Sequence, residues 1–347
     1  MPASRDELDE YRLLCRARLE RLVQVREPLV LISQVQRSGG TLLSQLFDGH
    51  PACHAHPHEI CIGKPMKWDW PPLDLSRPDA WLPTLHEPLV LDWLRSGYVK
   101  DQTARTRPEL QPDVFPFLFS PHLQRRIFAE CVEARAPARE RDVLDCYFTS
   151  YFNAWLDNQN LYAAPKRVVT GFTPRLAMEL ERVERFFAAY PDGFLVSLVR
   201  DPRAWFASAA AHRRYYRDVE QALGLWRRST EATLEAAERF GARVFLLTYE
   251  ELVGDLHGTV AALAAWIGID FRDELLTPTF NGLPIRANSS RPVDAPGVLL
   301  DRKDAYREVL DADTIARIDR LAGDLYDRAA EAARRQRAGP SGAGRLR

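Results

Sequence analysis

The sequence predicts an α/β protein of three layers, in which helices cover both faces of a mainly parallel central sheet. Short continuous apolar runs at 28–33, 194–199 and 243–248 have the composition of strands buried on both faces. A helical pattern follows each run, and this alternation is typical of a parallel sheet. The composition, 46% hydrophobic and 27% charged, is that of a globular protein with a sizeable core.

The first elements in chain order are a helix, a strand, a glycine turn and a second helix. Residues 5–26 place leucines among charged residues, which indicates an amphipathic helix. The apolar run at 28–33 is the strand, and Gly39 and Gly40 interrupt the pattern after it. From Thr41 onward, leucines recur at helical spacing.

The later elements repeat this order. A weaker strand is predicted at 168–169, and Asp201 before a proline indicates an N-cap and a first helical turn after the second buried run. A helix around 259–267 follows the third run. The pattern at 314–335 predicts a closing amphipathic helix, with Asp313 as its N-cap.

The chain is predicted to form one domain over residues 1–337, with a disordered tail at 338–347. Its core comprises 28–60 and 166–335, and a helical or irregular cap insertion spans about 61–165. The cap stretch is rich in proline and tryptophan. We expect it to lie over the carboxyl edge of the sheet, where α/β proteins bind ligands. A hydrophobic cluster without a ligand is an equal alternative.

Charge and composition exclude several classes of partner. The 47 basic and 48 acidic side chains give a net charge of −1, so no global field attracts nucleic acid or an anionic membrane. No apolar run approaches the ~18 residues of a membrane span, and the N-terminus is charged throughout. The five cysteines are odd in number and scattered, which predicts no disulfide framework and a reducing, cytoplasmic location.

The turn after the first strand, Gln36 to Thr41, has the composition of an anion-binding loop. Its glycines allow close approach, and backbone N–H groups and the positive end of the helix dipole converge there. A kinase or ATPase needs Gly-x-x-x-x-Gly-Lys-Ser/Thr, whose lysine reaches the outer phosphates. That lysine is absent, and the cation, Arg37, precedes the glycines. A nucleotide or phosphometabolite kinase that lacks the lysine remains an alternative.

Three segments resemble the sulfotransferases that use 3′-phosphoadenosine 5′-phosphosulfate (PAPS). The run QRSGGTLLSQLFDGHP resembles their 5′-phosphosulfate loop and the helix that ends in His-Pro. Arg200 and Ser208 match, in context and in their spacing of eight, the pair that holds the 3′-phosphate. The run 247–253, LTYEELV, resembles a segment whose tyrosine lies near the adenine.

The resemblance implies a fold like that of the P-loop NTPases, PAPS as donor, its 3′,5′-bisphosphate (PAP) as product, and no metal. Arg37 would stabilise charge on the bridging oxygen between phosphate and sulfate. Polar or basic residues near the C-terminus often close the pocket in such enzymes. The donor would thus be bound by Arg37, Ser38, Gly39, Gly40, Thr41, Leu42, Arg200, Ser208, Tyr249, Ser290 and Arg291.

A base must accept the proton of the acceptor's hydroxyl. In many relatives a carboxylate lies shortly after the His-Pro, and Glu59 in HPHEI resembles it, with His58 as the second candidate. Two solvated residues at the base of the insertion are the alternative interpretation. The acceptor is expected to be a small molecule, a carbohydrate or a lipid. The sequence does not predict which of these it is, nor the oligomeric state.

A zinc-binding or non-catalytic nucleotide-binding module is the other alternative. The segment 50–61 holds four histidines and two cysteines, and an extended chain would place His54, His56 and His58 on one face. Pro57 interrupts the run, and no recognised two-cysteine, two-histidine spacing is present, so we predict no metal ligand.

Overall fold

The computed structural model describes residues 5–60, 70–85, 98–99, 114–286, 296–298 and 304–338. The helices in these residues are α1 (Arg5–Glu20), α2 (Gly40–Leu46), α3 (Pro78–Leu85), α4 (Pro121–Arg135), α5 (Glu140–Ala154), α6 (Leu180–Ala189), α7 (Pro202–His212), α8 (Val219–Phe240), α9 (Tyr249–Gly254), α10 (Leu256–Ile267) and α11 (Ala312–Ala338). The strands are β1 (Leu29–Ile32), β2 (Cys53–Glu59), β3 (Tyr98–Val99), β4 (Val114–Phe115), β5 (Val168–Phe172), β6 (Phe194–Val199), β7 (Val244–Thr248), β8 (Thr279–Phe280) and β9 (Leu283–Pro284).

Within the described residues, five strands form a parallel sheet in the order β2-β5-β1-β6-β7. The three apolar runs are β1, β6 and β7, and the weaker strand is β5. Every residue of β1, β5 and β7 is buried, as expected of strands covered on both faces. The predicted fold class is therefore confirmed.

Helices cover both faces of this sheet. On one face, alternate strand residues such as Leu29 and Leu31 pack against α5 and α6. On the same face, α7, α8 and α11 cover the part of the sheet beside β7. Val30 and Ile32 pack with α2 and α10 on the other face. On the β7 edge, the amide of Gln336 in α11 accepts from Leu246 N at 2.8 Å and so covers an exposed strand edge.

The edge strand β2 has the sequence CHAHPHE, which does not match the apolar or alternating pattern of a strand. Its side chains alternate in the ordinary way: Cys53 and Ala55 pack on the α2 face, whereas His54 and His56 stack on aromatic rings of α5. Pro57 is tolerated because β2 is an edge strand with an irregular register at that point.

Helices α4 and α5 form a hairpin within the stretch that the sequence assigns to the cap. The four-residue connection brings Cys131 and Cys146 together in a disulfide with a Cα–Cα distance of 5.6 Å. The sequence predicts no disulfide framework, and it does not reveal this single bridge, because chain folding and not sequence spacing decides which cysteines meet. Their number therefore gives no support for a reducing compartment.

Two further details differ from the sequence interpretation. The polar segment after β7 is helical (α9), because Thr248 and Glu251 form a reciprocal capping box. The closing helix begins at Ala312, and Asp311, not Asp313, accepts from Thr314 N at 2.7 Å. Ala338 ends that helix, and 339–347 lie outside the described residues. Among the helices described, none is long and apolar enough to cross a membrane.

Candidate active site

The carboxyl ends of neighbouring strands form one edge at which the predicted site residues lie. Ile32 at the end of β1 pairs with Phe172 of β5 and with Val196 of β6. The loop of residues 36–41 leaves β1 at this edge, and Arg200 follows β6 directly. Parallel strands thus place the two predicted arginines at the same carboxyl edge of the sheet, where α/β proteins bind ligands.

The loop turns back on itself through two residues with left-handed backbone. Arg37 has a φ of 70° and Gly39 a φ of 101°. A side chain at position 39 would also collide with the ring of Tyr249, since a Cβ there would lie 2.5 Å from Cδ2. For a residue with a side chain, such as Arg37, this left-handed conformation costs on the order of 1 kcal/mol. Strained backbone of this kind is concentrated at functional sites.

The two arginines are joined to each other. Arg200 Nη1 donates to the backbone carbonyl oxygen of Arg37 at 2.9 Å, and Arg37 Nε donates to Ser208 Oγ at 3.1 Å. The guanidinium of Arg200 also lies 4.5 Å from the centre of the Tyr249 ring. Four residues that the sequence places in three separate segments therefore form one continuous cluster.

Buried indole groups hold the backbone beside each arginine. Trp205 in α7 donates from Nε1 to Gln36 O at 2.7 Å, and Trp226 in α8 donates from Nε1 to Arg200 O at 2.9 Å. Asp201 caps α7 as predicted, accepting from Arg203 N at 2.9 Å. The backbone beside both arginines is therefore held by the packed layer beneath it.

Several polar atoms at this edge are buried and find no partner in the described part of the chain. They are Ser38 Oγ, Arg200 Nε and both amide atoms of Gln34. A buried donor that makes no hydrogen bond destabilises a fold by about 1–3 kcal/mol, and such groups commonly serve binding or catalysis. Their chemistry, one cation and neutral donors beside a glycine turn, suits a phosphate or sulfate group.

The remaining loop residues begin α2. Gly40 is its first residue, followed by Thr41 and Leu42, which are both half-buried. Their backbone N–H groups belong to the first turn, which makes no hydrogen bond within the helix.

Glu59 lies at the same edge, at the end of β2. It pairs with Phe172, and Ile60 N donates to Phe172 O at 2.8 Å. Between Ala55 and Glu59, β2 has two residues more than the facing part of β5, so a bulge re-aims the strand before it ends. Two strand spacings place the Glu59 Cα about 10 Å from that of Ile32. The side chain of His58 is outside the described part of the structure.

The other two histidines of β2 are core residues. His54 stacks on Phe152 with ring centres 5.0 Å apart, and burial lowers the pKa of His54 to about 3. His56 stacks on Tyr151 at 4.7 Å. Among the residues described, no three His, Cys, Asp or Glu side chains are grouped as metal ligands.

Ser290 and Arg291 lie outside the described residues. The site contains further residues for which sequence reasoning gives no role: Gln34, Arg175, Trp205 and Trp226. Arg175 has a φ of 69°, and its Nε donates to Gln36 Oε1 at 2.6 Å. The two tryptophans resemble ordinary core residues in the sequence. Only Gln34 is indicated by the sequence, because it stands five residues before Gly39, where the pattern Gly-x-x-x-x-Gly has its first glycine.

The family follows from the sequence comparison. Residues 28–273 match the model of the sulfotransferase family. The chain belongs to that family. This range contains the loop, Arg200, Ser208 and Tyr249, so the resemblance of the three segments is confirmed at the level of the family. No curated protein matches this sulfotransferase.

The solved structures to which this chain is similar are distant from it in sequence. The sulfotransferase domain from the curacin biosynthetic pathway is 18% identical, with a TM-score of 0.46, covering 86% of this chain and 98% of its own. Sulfotransferase STF9 from Mycobacterium avium is 16% identical, with a TM-score of 0.42 and coverages of 92% and 82%. Retinol dehydratase, solved with androsterone and the inactive cofactor PAP, is 16% identical, with a TM-score of 0.34 and coverages of 89% and 85%.

Proposed function

We propose that this sulfotransferase moves a sulfuryl group from PAPS to a hydroxyl or amine of a small-molecule, carbohydrate or lipid acceptor. The observation that carries the proposal is the joined pair Arg37 and Arg200, with Ser208 and Tyr249, at the carboxyl edge of the sheet. The family supports the reaction class, and the cluster supports a donor that carries phosphate at two positions.

The unpartnered atoms support the fit of this donor. Ser38 Oγ and Arg200 Nε are buried donors with no partner in the described residues, and anionic oxygens would satisfy both. Arg200 and Ser208 would hold the 3′-phosphate, and Tyr249 would lie near the adenine. Ser38, Gly39, Gly40, Thr41 and Leu42 would hold the 5′-phosphate. Ser290 and Arg291 stay candidates for closing the pocket.

PAPS, when bound, supplies the sulfuryl group and a leaving phosphate. The chain's part is to position both reactants and to stabilise charge, as in phosphoryl transfer. Arg37 would neutralise the charge that develops on the leaving oxygen. A terminal sulfuryl group carries about one negative charge less than a terminal phosphoryl group. We infer that one guanidinium and the loop N–H groups suffice without a metal.

Glu59 is proposed as the base that takes the proton from the acceptor, with His58 as the alternative. Its place at the end of β2 supports this role, because the strand brings a carboxylate to the edge that holds the anion loop. A base so placed accepts the proton as the acceptor oxygen attacks sulfur, and typically contributes 10²- to 10⁴-fold in rate.

A thermal-shift series tests the donor. We expect PAP to raise the melting temperature and AMP or ATP–Mg²⁺ to have little effect, since a selective ligand stabilises by RT ln(1 + [L]/Kd). Preference for ATP–Mg²⁺ would instead indicate a kinase that lacks its lysine, and stabilisation by zinc a metal-binding module. Transfer from labelled PAPS to a panel of hydroxyl and amine acceptors then identifies the acceptor class.

A further inference from the structure

Gln34 is a buried amide beside the anion loop. It follows β1 closely and is 1% exposed. Neither its Nε2 nor its Oε1 makes a hydrogen bond to the residues that the structure describes. A buried amide without partners costs folding free energy, and a leucine of similar size would avoid that cost. The residue therefore requires an explanation other than stability.

The amide occupies the space above Gly40. A Cβ built on Gly40 would lie 2.1 Å from Gln34 Nε2 and 2.5 Å from Phe172 Cε2. Contacts that short do not occur between real atoms, so no side chain can project from position 40 while Gln34 keeps this conformation. Gln34 thus delivers a polar group to the place that the side chain of residue 40 would otherwise enter.

The nucleotide-binding pattern Gly-x-x-x-x-Gly-Lys-Ser/Thr shows which residue types Gln34 and Gly40 replace. If Gly39 and Thr41 are aligned with the second glycine and the hydroxyl residue, Gln34 stands at the first glycine and Gly40 at the lysine. In that pattern the lysine reaches the outer phosphates. The present chain has a glycine where the pattern has the lysine, and a polar side chain where the pattern has none.

We propose that Gln34 Nε2 donates a hydrogen bond to the terminal, transferred group of the nucleotide held by the loop. The inference rests on the proposed function and adds a hydrogen bond from Gln34 to the transferred group. A neutral amide in place of an ammonium suits a terminal group with one negative charge less. It also supplies the partner that the buried amide lacks among the residues that the structure describes.

The test compares ligands that differ only in the transferred group. PAP lacks the sulfuryl group, whereas PAPS carries it. Gln34→Leu should lower turnover and PAPS affinity by on the order of 10- to 100-fold, the effect of one hydrogen bond to a charged group, while PAP affinity stays within about twofold. Gln34→Glu, which keeps the shape and repels an anion, should lose PAPS turnover at least as strongly. It also provides a second variant if the leucine variant does not fold.

The outcomes separate the two proposals. If wild-type protein binds neither PAP nor PAPS, the proposed function fails and this inference falls with it. If wild-type protein binds and transfers normally but Gln34→Leu retains full turnover, only the role of Gln34 is refuted. An equal loss of PAP and PAPS affinity would also refute it, because Gln34 would then shape the loop and not contact the transferred group.

Discussion

Replacing Arg200 by methionine separates a direct contact with the 3′-phosphate from an effect on the loop. Methionine keeps much of the side-chain volume and removes the guanidinium. A hydrogen bond to a charged group contributes about 1.5–3 kcal/mol, so losing a phosphate contact of about 2–3 kcal/mol predicts a roughly 30- to 150-fold weaker PAP complex. Isothermal titration calorimetry measures this directly.

The structure also provides the competing explanation. Arg200 Nη1 donates to the carbonyl oxygen of Arg37 at 2.9 Å, so the substitution could loosen the loop and weaken any ligand bound there. Adenosine 5′-phosphosulfate has no 3′-phosphate, so Arg200→Met can weaken its binding only through the loop. We expect its affinity to fall at least about 30-fold less than that of PAP, because a phosphate contact of about 2–3 kcal/mol is lost from PAP alone. An equal loss of affinity for both nucleotides would refute the assignment of Arg200 to the 3′-phosphate.

Arg203 provides the matched control. It lies three residues further along, in the first turn of α7, and its guanidinium is paired with Asp201. Arg203→Met removes the same charge from the same segment without touching the cluster, because Asp201 still accepts from the backbone N–H of Ala204 at 3.2 Å. We expect PAP affinity within about twofold of wild type. A loss as large as that of Arg200→Met would show that net charge, and not position, determines binding.

Two further predictions concern the base and the pH dependence of stability. Glu59→Gln should lower turnover by about 10²- to 10⁴-fold with PAP affinity unchanged; if it keeps full turnover while His58→Gln loses it, the base is His58. Burial lowers the pKa of His54 to about 3, so below pH 6.5 the unfolded chain binds a proton that the folded chain does not, and stability falls as the pH falls. Between pH 6.5 and 5 this costs roughly 1.5–2 kcal/mol. In urea unfolding His54→Phe should lose that part of the slope, and a wild-type slope in the variant would show that His54 does not cause it.

The sequence predicts those parts of the fold whose signal is local. The runs that became β1, β6 and β7 are continuous and apolar because both sides of each strand are buried. The loop after β1 is recognisable because two adjacent glycines interrupt the apolar pattern between a strand and a helix. The resemblance to the family groups Arg37, Arg200 and Tyr249, and the structure brings them together because parallel strands end at one edge.

Features that depend on distant contacts are not predictable in this way. β2 is a strand because it pairs with β5 and buries its histidines against α5, although its composition has no strand signal. Cys131 and Cys146 meet because a helical hairpin folds. The role proposed for Gln34 depends on the space over Gly40, which a sequence does not show.

The C-terminal helix α11 is a further case, since it lies beyond residue 273, where the family match ends. Tyr326 in α11 donates to Glu250 Oε2 at 3.0 Å, and Glu250 Oε1 accepts from Asp201 N at 3.1 Å. Asp201 follows Arg200, so α11 is connected to the proposed 3′-phosphate site through two hydrogen bonds. Burial raises the pKa of Glu250, and this half-buried carboxyl accepts two hydrogen bonds that hold the end of β6 in place. The geometry of the proposed anion site therefore depends on a helix that the motif residues themselves do not indicate.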